Sequence, residues 1–98
     1  MSLNVAYLPE AEDDIEAAYI WYDQQRTGLG DEFLEALCDS VNWIRENPKL
    51  YAVFRRAIRA APLRRFPYVV YYTERTIDIL VIAVQHGRRS TRVWRGRF

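Results

Sequence analysis

The spacing of apolar residues changes at Asn47-Pro48, and this change divides the chain into a helical half and a β-rich half. Before this point apolar residues recur every three or four positions, which predicts amphipathic helices. After it they alternate or run together over strand-sized lengths. Proline disfavours a helical conformation in the residue before it, so the last helix is expected to stop here.

Two helices are predicted in the first half, after a short strand at residues 5–7. Pro9 suits a first helical turn, where its missing N–H has no partner to lose. The first helix is expected to end near Gln25, and Gly30 or Asp31 is expected to open the second. Because the link between them is short, the helices should form an antiparallel hairpin.

About three antiparallel strands are predicted in the second half. The first is expected over residues 58–66, with an interruption near Pro62, because proline cannot donate to a strand ladder. Residues 68–73 form the second by composition. The third, residues 77–85, is apolar on both faces except at Asp78, which predicts a central strand.

The order of these elements, β-α-α-β-β-β, predicts one α+β domain over residues 1–98, with the helices on one face of an antiparallel sheet. Half of the 98 residues are hydrophobic, enough for one modest core. No apolar run reaches the roughly 18–20 residues that span a bilayer. No signal peptide is visible either, so a cytoplasmic protein is expected.

Cys38 is the only cysteine, which excludes an intramolecular disulfide. Its apolar helical surroundings predict a buried thiol. One cysteine and one histidine also argue against a zinc site. Neither a metal nor another cofactor is expected.

Charge is divided between the two halves. Residues 1–48 carry eleven Asp/Glu and two Arg, a net charge of −9, whereas residues 49–98 carry twelve Lys/Arg and two Asp/Glu, a net charge of +10. The division would serve folding if the acidic half packed against the basic half, so that opposite charges met within the molecule. It would serve binding if the basic half attracted an anionic partner, such as nucleic acid or an acidic peptide. Both uses stay open at this point.

Candidate binding residues lie in the basic half, because arginine forks match phosphate and carboxylate groups. Trp94 either stacks on a base or on a guanidinium, or packs into the core while the rest of the basic tail, residues 88–98, is solvated. Strand alternation is expected to place Arg64 and Arg65 on opposite faces of the sheet, and His86 on the face of residues 80, 82 and 84. The candidate binding set is Arg59, Arg64, Arg65, Arg88, Arg89, Arg92, Trp94 and Arg95.

An RNA-cleaving site is the catalytic alternative, with His86, Arg65 and Arg88 as candidate catalytic residues. Such a site needs an acid, a base and positive charge on the phosphate. His86 would be the acid or the base, and the arginines would hold the phosphate. Residues 47–73 contain no carboxylate and Lys49 is the only lysine, so neither a carboxylate base from these strands nor a lysine mechanism has support.

Short motifs spread over nearly the whole chain have a distinctive order and spacing. They are Pro9-Glu-Ala11 with Asp13-Asp-Ile15, Gly28-Leu-Gly30 with Phe33-Leu34, Asn47-Pro48, Arg64-Arg-Phe-Pro-Tyr68, Val69-Val-Tyr-Tyr72, Ile79 to Val84, His86, Arg88, Arg89, Trp94 and Arg97. Taken together, they make the chain resemble the RelE/ParE superfamily of bacterial type II toxins, often named plasmid stabilisation proteins.

The resemblance implies a small toxin that a cognate antitoxin neutralises. RelE-like members cut messenger RNA in the ribosome, whereas ParE-like members inhibit DNA gyrase. The chain lacks the lysine cluster of RelE-like sites and the mid-sheet glutamate of the Glu–Arg–His variant, so the ParE branch is favoured. A ribosome-dependent endoribonuclease is the alternative, and a non-toxic antitoxin-binding module is a second one.

The implied partners are an antitoxin and gyrase, or the ribosome and messenger RNA in the alternative, with no membrane. A homodimer or a heterotetramer with the antitoxin is a possible assembly. The basic half is expected to attract an acidic antitoxin segment, so association should slow when salt is added.

Overall fold

The computed structural model describes residues 3–89 and 91–97. Met1, Ser2, Ser90 and Phe98 lie outside the described part. Its elements are β1 Asn4–Tyr7, α1 Pro9–Gln25, α2 Leu29–Glu46, β2 Val53–Arg55, β3 Ile58–Pro62, β4 Tyr68–Glu74 and β5 Asp78–His86, followed by the 3-10 turns Thr91–Val93 and Arg95–Arg97. The predicted α+β fold is confirmed.

One five-stranded sheet has the order β1-β5-β4-β3-β2. β1 runs parallel to β5, and the other neighbours are antiparallel. β5 therefore lies between β1 and β4, as its apolar composition on both faces predicts. The strand predicted over residues 58–66 is shorter, because β3 ends at Pro62 and residues 64–67 form a bend. A short edge strand, β2, precedes it.

The link between the helices is held by one aspartate. Asp23 Oδ1 accepts hydrogen bonds from the backbone N–H of Gly28 at 3.0 Å and of Gly30 at 3.2 Å. Gly28 has a left-handed backbone with φ of 91°, which glycine adopts without steric cost. A Cβ at Gly30 would lie 2.8 Å from the ring of Tyr19, so only glycine allows the helices to come this close.

Both faces of the sheet carry an apolar layer. The larger layer lies between the sheet and the helices and includes the fully buried Phe33 and Tyr72. The smaller layer, on the second face, includes Leu80 and Ile82. The C-terminal segment, residues 91–97, contributes Trp94 to the smaller layer, so this segment belongs to the fold.

A β-bulge reverses the alternation of β5 at Ile82. The adjacent residues 71–72 of β4 pair with β5 residues that are two apart, which leaves Ile82 as the extra residue. His86 pairs with Tyr68 of β4, which packs in the larger layer, so His86 lies on the helix side of the sheet together with Val84. Leu80 and Ile82 face the smaller layer on the other side. The prediction that His86 shares a face with Leu80 and Ile82 was therefore wrong, because alternation does not continue through a bulge.

Cys38 is exposed on α2, so the prediction of a buried thiol was wrong. Consecutive helical positions are about 100° apart, and Leu37 is the one that points into the core. Within the described ranges, no helix is long and apolar enough to cross a membrane. In the same ranges, no group of three or more His, Cys, Asp or Glu is placed to hold a metal ion.

Candidate functional site

The connection between β3 and β4 lies against the turn that follows β5. The backbone N–H of Gly87 donates to the carbonyl of Pro67 at 2.8 Å, which fixes the two segments side by side. Each segment carries two consecutive, exposed arginines. We call this place the basic end of the sheet, and its arginines are Arg64, Arg65, Arg88 and Arg89.

Arg64 and Arg65 both lie beside α2, so the prediction that they occupy opposite faces was wrong. Both follow the end of β3 at Pro62, where strand alternation no longer applies. Arg65 has a left-handed backbone with φ of 71° and donates to Glu32 Oε1 at 2.7 Å. The hydrogen bonds from Arg65 and Arg26 hold the pKa of the Glu32 carboxyl below its usual value. Glu32 therefore offsets part of the positive charge here.

His86 is half-buried at the basic end. Its Nδ1 accepts the backbone N–H of Arg88 at 3.1 Å, so Nε2 carries the ring proton when the imidazole is neutral. The ring meets Tyr68 edge to face, with centroids 5.6 Å apart. Burial raises the pKa of the Tyr68 hydroxyl, and Arg89 opposes this shift. Arg89 also donates to the side chain of Gln85 at 3.4 Å.

Arg59 lies at the other end of β3, away from the basic end. Its guanidinium donates to the carbonyl of Tyr51 at 2.6 Å and to that of Lys49 at 3.4 Å. These contacts brace the connection between α2 and β2. Arg59 therefore does not join the other candidate arginines.

Trp94 is 2% exposed and packs on the second face of the sheet. Its ring centroid lies 4.5 Å from that of Tyr71 and 6.0 Å from that of Phe54. Of the two readings of Trp94, the structure thus favours packing into the core over stacking on a base. Arg92 and Arg95, in the same segment, have exposed side chains.

Sequence reasoning missed an ion pair between Asp14 and Arg97. Arg97 Nη1 donates to Asp14 Oδ2 at 2.6 Å, and Nη2 to Oδ1 at 3.1 Å. Asp14 Oδ2 also accepts the N–H of Val84, and Arg97 also donates to the carbonyl of Ile82. Both side chains are nearly buried, at 10% and 14% exposed, and Asp14 raises the pKa of Arg97. No local spacing predicts this pair; both residues occur only in the motifs of the family resemblance.

Exposed large hydrophobic side chains lie mainly on the helices and near β2, and one of them, Trp43, lines a groove together with Arg64 and Arg65 of the basic end. Two grooves flank α2, one of about 500 Å³ beside β1 that includes Leu34, and one of about 670 Å³ beside β3 that includes Trp43. In the described residues, none of the exposed large hydrophobics falls within residues 63–67 or 84–89. They are Ile20, Trp21, Leu34, Trp43, Leu50, Val53, Phe54 and Ile77.

Comparison with known proteins agrees with the fold. A family model for the ParE toxin of the type II toxin-antitoxin system, parDE, matches residues 5–91. A solved structure described as the chromosomal ParDE TA system from P. aeruginosa aligns with a TM-score of 0.76 over 87% of this chain and 96% of that one. At 13% identity this likeness shows a shared fold. No curated protein sequence matches significantly.

The predicted superfamily and its ParE branch are thereby confirmed. The family match covers most of the sequence, from β1 to the start of the C-terminal segment. The chain therefore belongs to the ParE toxin family of type II toxin–antitoxin systems.

Proposed function

We propose that this toxin binds DNA gyrase and thereby arrests replication, and that a cognate antitoxin neutralises it. The observation that carries the proposal is the match of residues 5–91 to the ParE toxin family. The family resemblance connects ParE-like members with gyrase and RelE-like members with messenger RNA. The choice of target therefore follows the branch.

The geometry around His86 supports binding over RNA cleavage. General acid–base catalysis needs two groups that exchange protons with the substrate. His86 Nδ1 already accepts a backbone N–H. Glu32 is bound by Arg65, and the hydrogen bonds from Arg65 and Arg26 lower the pKa of its carboxyl; Asp14 is bound by Arg97. Because its pKa is lowered, Glu32 is a weak proton acceptor for such a reaction.

A supercoiling assay tests the proposed target. Purified toxin at micromolar concentration is mixed with gyrase and relaxed plasmid. We expect loss of supercoiling and accumulation of cleaved plasmid, and we expect toxin bound to its antitoxin to have neither effect. Normal supercoiling without cleaved plasmid would contradict the proposal.

The ribonuclease alternative makes a different prediction for two variants. If the toxin cuts RNA, His86→Ala and Arg65→Ala should both abolish growth arrest while antitoxin binding survives. If it acts on gyrase by binding, His86→Ala should still arrest growth. Harmless expression of the wild-type chain without antitoxin would favour the non-toxic module.

The antitoxin is expected to cover exposed hydrophobic residues beside α2. Protein interfaces are anchored by apolar and aromatic side chains that become buried. Trp43 is 54% exposed and Leu34 is 37% exposed, each in one of the two grooves that flank this helix. An acidic part of the antitoxin would speed its approach through long-range attraction to the basic half.

A further inference from the structure

We infer that the groove beside β3 recognises a short extended segment of the antitoxin by a pattern of three residues: an acidic one, a basic one and an aromatic or large apolar one. This groove is the one of about 670 Å³ that includes Trp43. The inference deepens the proposed function, on which the identity of the partner rests. The pattern follows from the charges on the walls of the groove and from its length.

The two walls of the groove carry opposite charges. Glu35 and Asp39 are exposed on the α2 wall, and Arg64 and Arg65 are exposed on the wall formed by the bend after β3. Arg65 is already paired with Glu32. Within the described ranges, Glu35, Asp39 and Arg64 make no ion pair. These three charged groups can therefore pair with an occupant of the groove.

Opposite charges on the two walls select against a polyanion. A nucleic acid or a purely acidic peptide that pairs with Arg64 also meets the carboxylates of Glu35 and Asp39, and like charges brought together weaken binding. A segment that offers an acidic residue to Arg64 and a basic residue to the α2 wall is attracted by both walls. The groove therefore fits a segment of mixed charge better than a purely acidic one.

An aromatic or large apolar residue of the segment is expected at the Trp43 end of the groove. Trp43 is 54% exposed, and the half-buried Tyr51 lines the same groove. Aromatic anchors that become buried supply much of the binding energy of an interface. Contact with the ring of Trp43 would hold the segment in place, and the charges would decide which sequence is accepted.

α2 sets the order and the spacing of the three residues. Arg65 donates to Glu32 in the first turn of α2, so the arginines lie at the end of the groove opposite Trp43. Asp39 is four residues from both Glu35 and Trp43, midway along this wall. At 1.5 Å per residue the wall from Glu35 to Trp43 is about 12 Å long, which about five extended residues span. The acidic, basic and aromatic residues are therefore expected at alternate positions of a five-residue stretch.

The volume of the groove favours an extended segment over a helix. A helix about 12 Å long and about 10 Å across occupies roughly 900 Å³. The groove holds about 670 Å³. A helix would lie over the groove, whereas an extended segment fits inside it. Alternate side chains of an extended segment point to the same side, which places the three recognised residues together.

Titration of isotope-labelled toxin with two synthetic peptides, followed by NMR, tests the inference. The first peptide is Glu-Ala-Lys-Ala-Trp, and the second, Lys-Ala-Glu-Ala-Trp, exchanges only the two charges. Each is acetylated and amidated, and each is also made in reverse order, because either chain direction fits the groove. In one of the two directions, the wild type should bind the first pattern about fivefold more tightly than the second and shift the amide signals of residues 35–43. Equal binding of both patterns in both directions would overturn the inference.

A charge-exchanged toxin separates the groove from net charge. Arg64→Glu/Asp39→Lys keeps the net charge and should reverse the preference between the two patterns. Arg55→Glu/Glu16→Lys makes the same exchange at exposed residues outside the groove and should keep the preference of the wild type. A reversal in both variants, or in neither, would overturn the inference. Circular dichroism melting curves establish that both variants are folded.

Competition connects the groove with the antitoxin. Added antitoxin should displace the bound peptide, and a peptide that stays bound would overturn the assignment of this partner. Stronger displacement by a DNA duplex than by the antitoxin would assign the groove to nucleic acid and overturn the inference. Gyrase inhibition without a preference between the patterns would leave the proposed target standing and refute only the recognition pattern. A preference together with normal supercoiling would do the reverse.

Discussion

Asp14 joins three parts of the molecule through one carboxylate. It pairs with Arg97 of the C-terminal segment and accepts the N–H of Val84 beyond the bulge of β5. β1 ends opposite Val81, so beyond Val81 the edge of β5 that faces β1 has no neighbouring strand. The Asp14–Arg97 pair covers that edge. Asp14 accepts the N–H of Val84 and Arg97 donates to the carbonyl of Ile82, two backbone groups that would otherwise lack partners.

Removing the charge of Asp14 should destabilise the fold strongly. Asp14→Asn leaves the nearly buried guanidinium of Arg97 without its counter-charge, and such a loss typically costs about 3 kcal/mol. Asp13→Asn is the matched control, because Asp13 is exposed and its replacement should cost no more than about 0.5 kcal/mol. Urea unfolding followed by circular dichroism measures both, and equal stability of the two variants would contradict the role given to Asp14.

Tyr72 should make the protein sensitive to alkaline pH. Burial raises the pKa of its hydroxyl to about 12, and that hydroxyl donates to the carbonyl of Pro48 at 2.7 Å. An unfolded tyrosine ionises near pH 10, roughly two units lower. Between these values the unfolded state releases a proton that the folded state keeps, so stability present below pH 10 is lost as pH rises towards 12.

Tyr72→Phe removes both the titration and the hydrogen bond. At neutral pH it should cost about 1 kcal/mol, because the bond to Pro48 is lost. From pH 10 to 12 its stability should fall less steeply than that of the wild type. Urea unfolding across this range gives the comparison, and parallel curves would show that Tyr72 is not the responsible group.

At the scale of elements, the C-terminal segment is what covers the second face of the sheet. This segment has only short 3-10 turns and a basic composition, which suggests a solvated tail. Nevertheless Trp94 is buried, and Arg97 reaches α1. The segment therefore acts as a layer of the fold as well as a carrier of positive charge.

Trp94→Ala should expose that face and cost about 4 kcal/mol. Trp43→Ala changes the same residue type on the exposed side of α2 and should cost about 0.5 kcal/mol or less. Urea unfolding measures the difference, and binding of a hydrophobic dye reports the uncovered face. If both variants lost the same stability, Trp94 would not be holding the segment in place.

The helices were predictable because their pattern repeats over many residues. α1 ends at Gln25 as predicted, and α2 begins at Leu29, one residue before the expected start. The interruption predicted near Pro62 is where β3 ends, but the bend that replaces the rest of the strand was not predicted. The bulge at Ile82 was not predicted either, because it changes the direction of side chains without a marked change in composition. For the same reason the faces assigned to Arg64 and His86 were wrong.

At the scale of the whole molecule, the charge division is arranged across the fold. The acidic residues lie mainly on the helices, and four arginines gather at one end of the sheet. The sequence predicted that the basic half of the chain carries the binding residues, and the predicted set included Arg64, Arg65, Arg88 and Arg89. It did not predict that Glu32 pairs with Arg65 or that Arg59 braces a loop, because both contacts depend on tertiary packing.

The antitoxin is assigned to the grooves beside α2, and a variant in one of these grooves should test the assignment. Trp43→Ser should weaken antitoxin binding by about tenfold or more, since it removes an aromatic anchor from the groove beside β3. Ile77→Ser is the control, because Ile77 is exposed in the turn between β4 and β5. Surface plasmon resonance gives both affinities; a loss for Ile77→Ser as large as that for Trp43→Ser would argue against this location.

The Asp14–Arg97 ion pair also has a consequence for the lifetime of the folded state. Its partners are 83 residues apart in sequence, and the pair needs α1, the bulge of β5 and the C-terminal segment to be in place together. Such a contact is expected to form after the rate-limiting step of folding, where its loss speeds unfolding and leaves the folding rate nearly unchanged. Stopped-flow chevron plots of Asp14→Asn would show this as a change confined to the unfolding arm. The pair would then determine how long the toxin stays folded more than how quickly it folds.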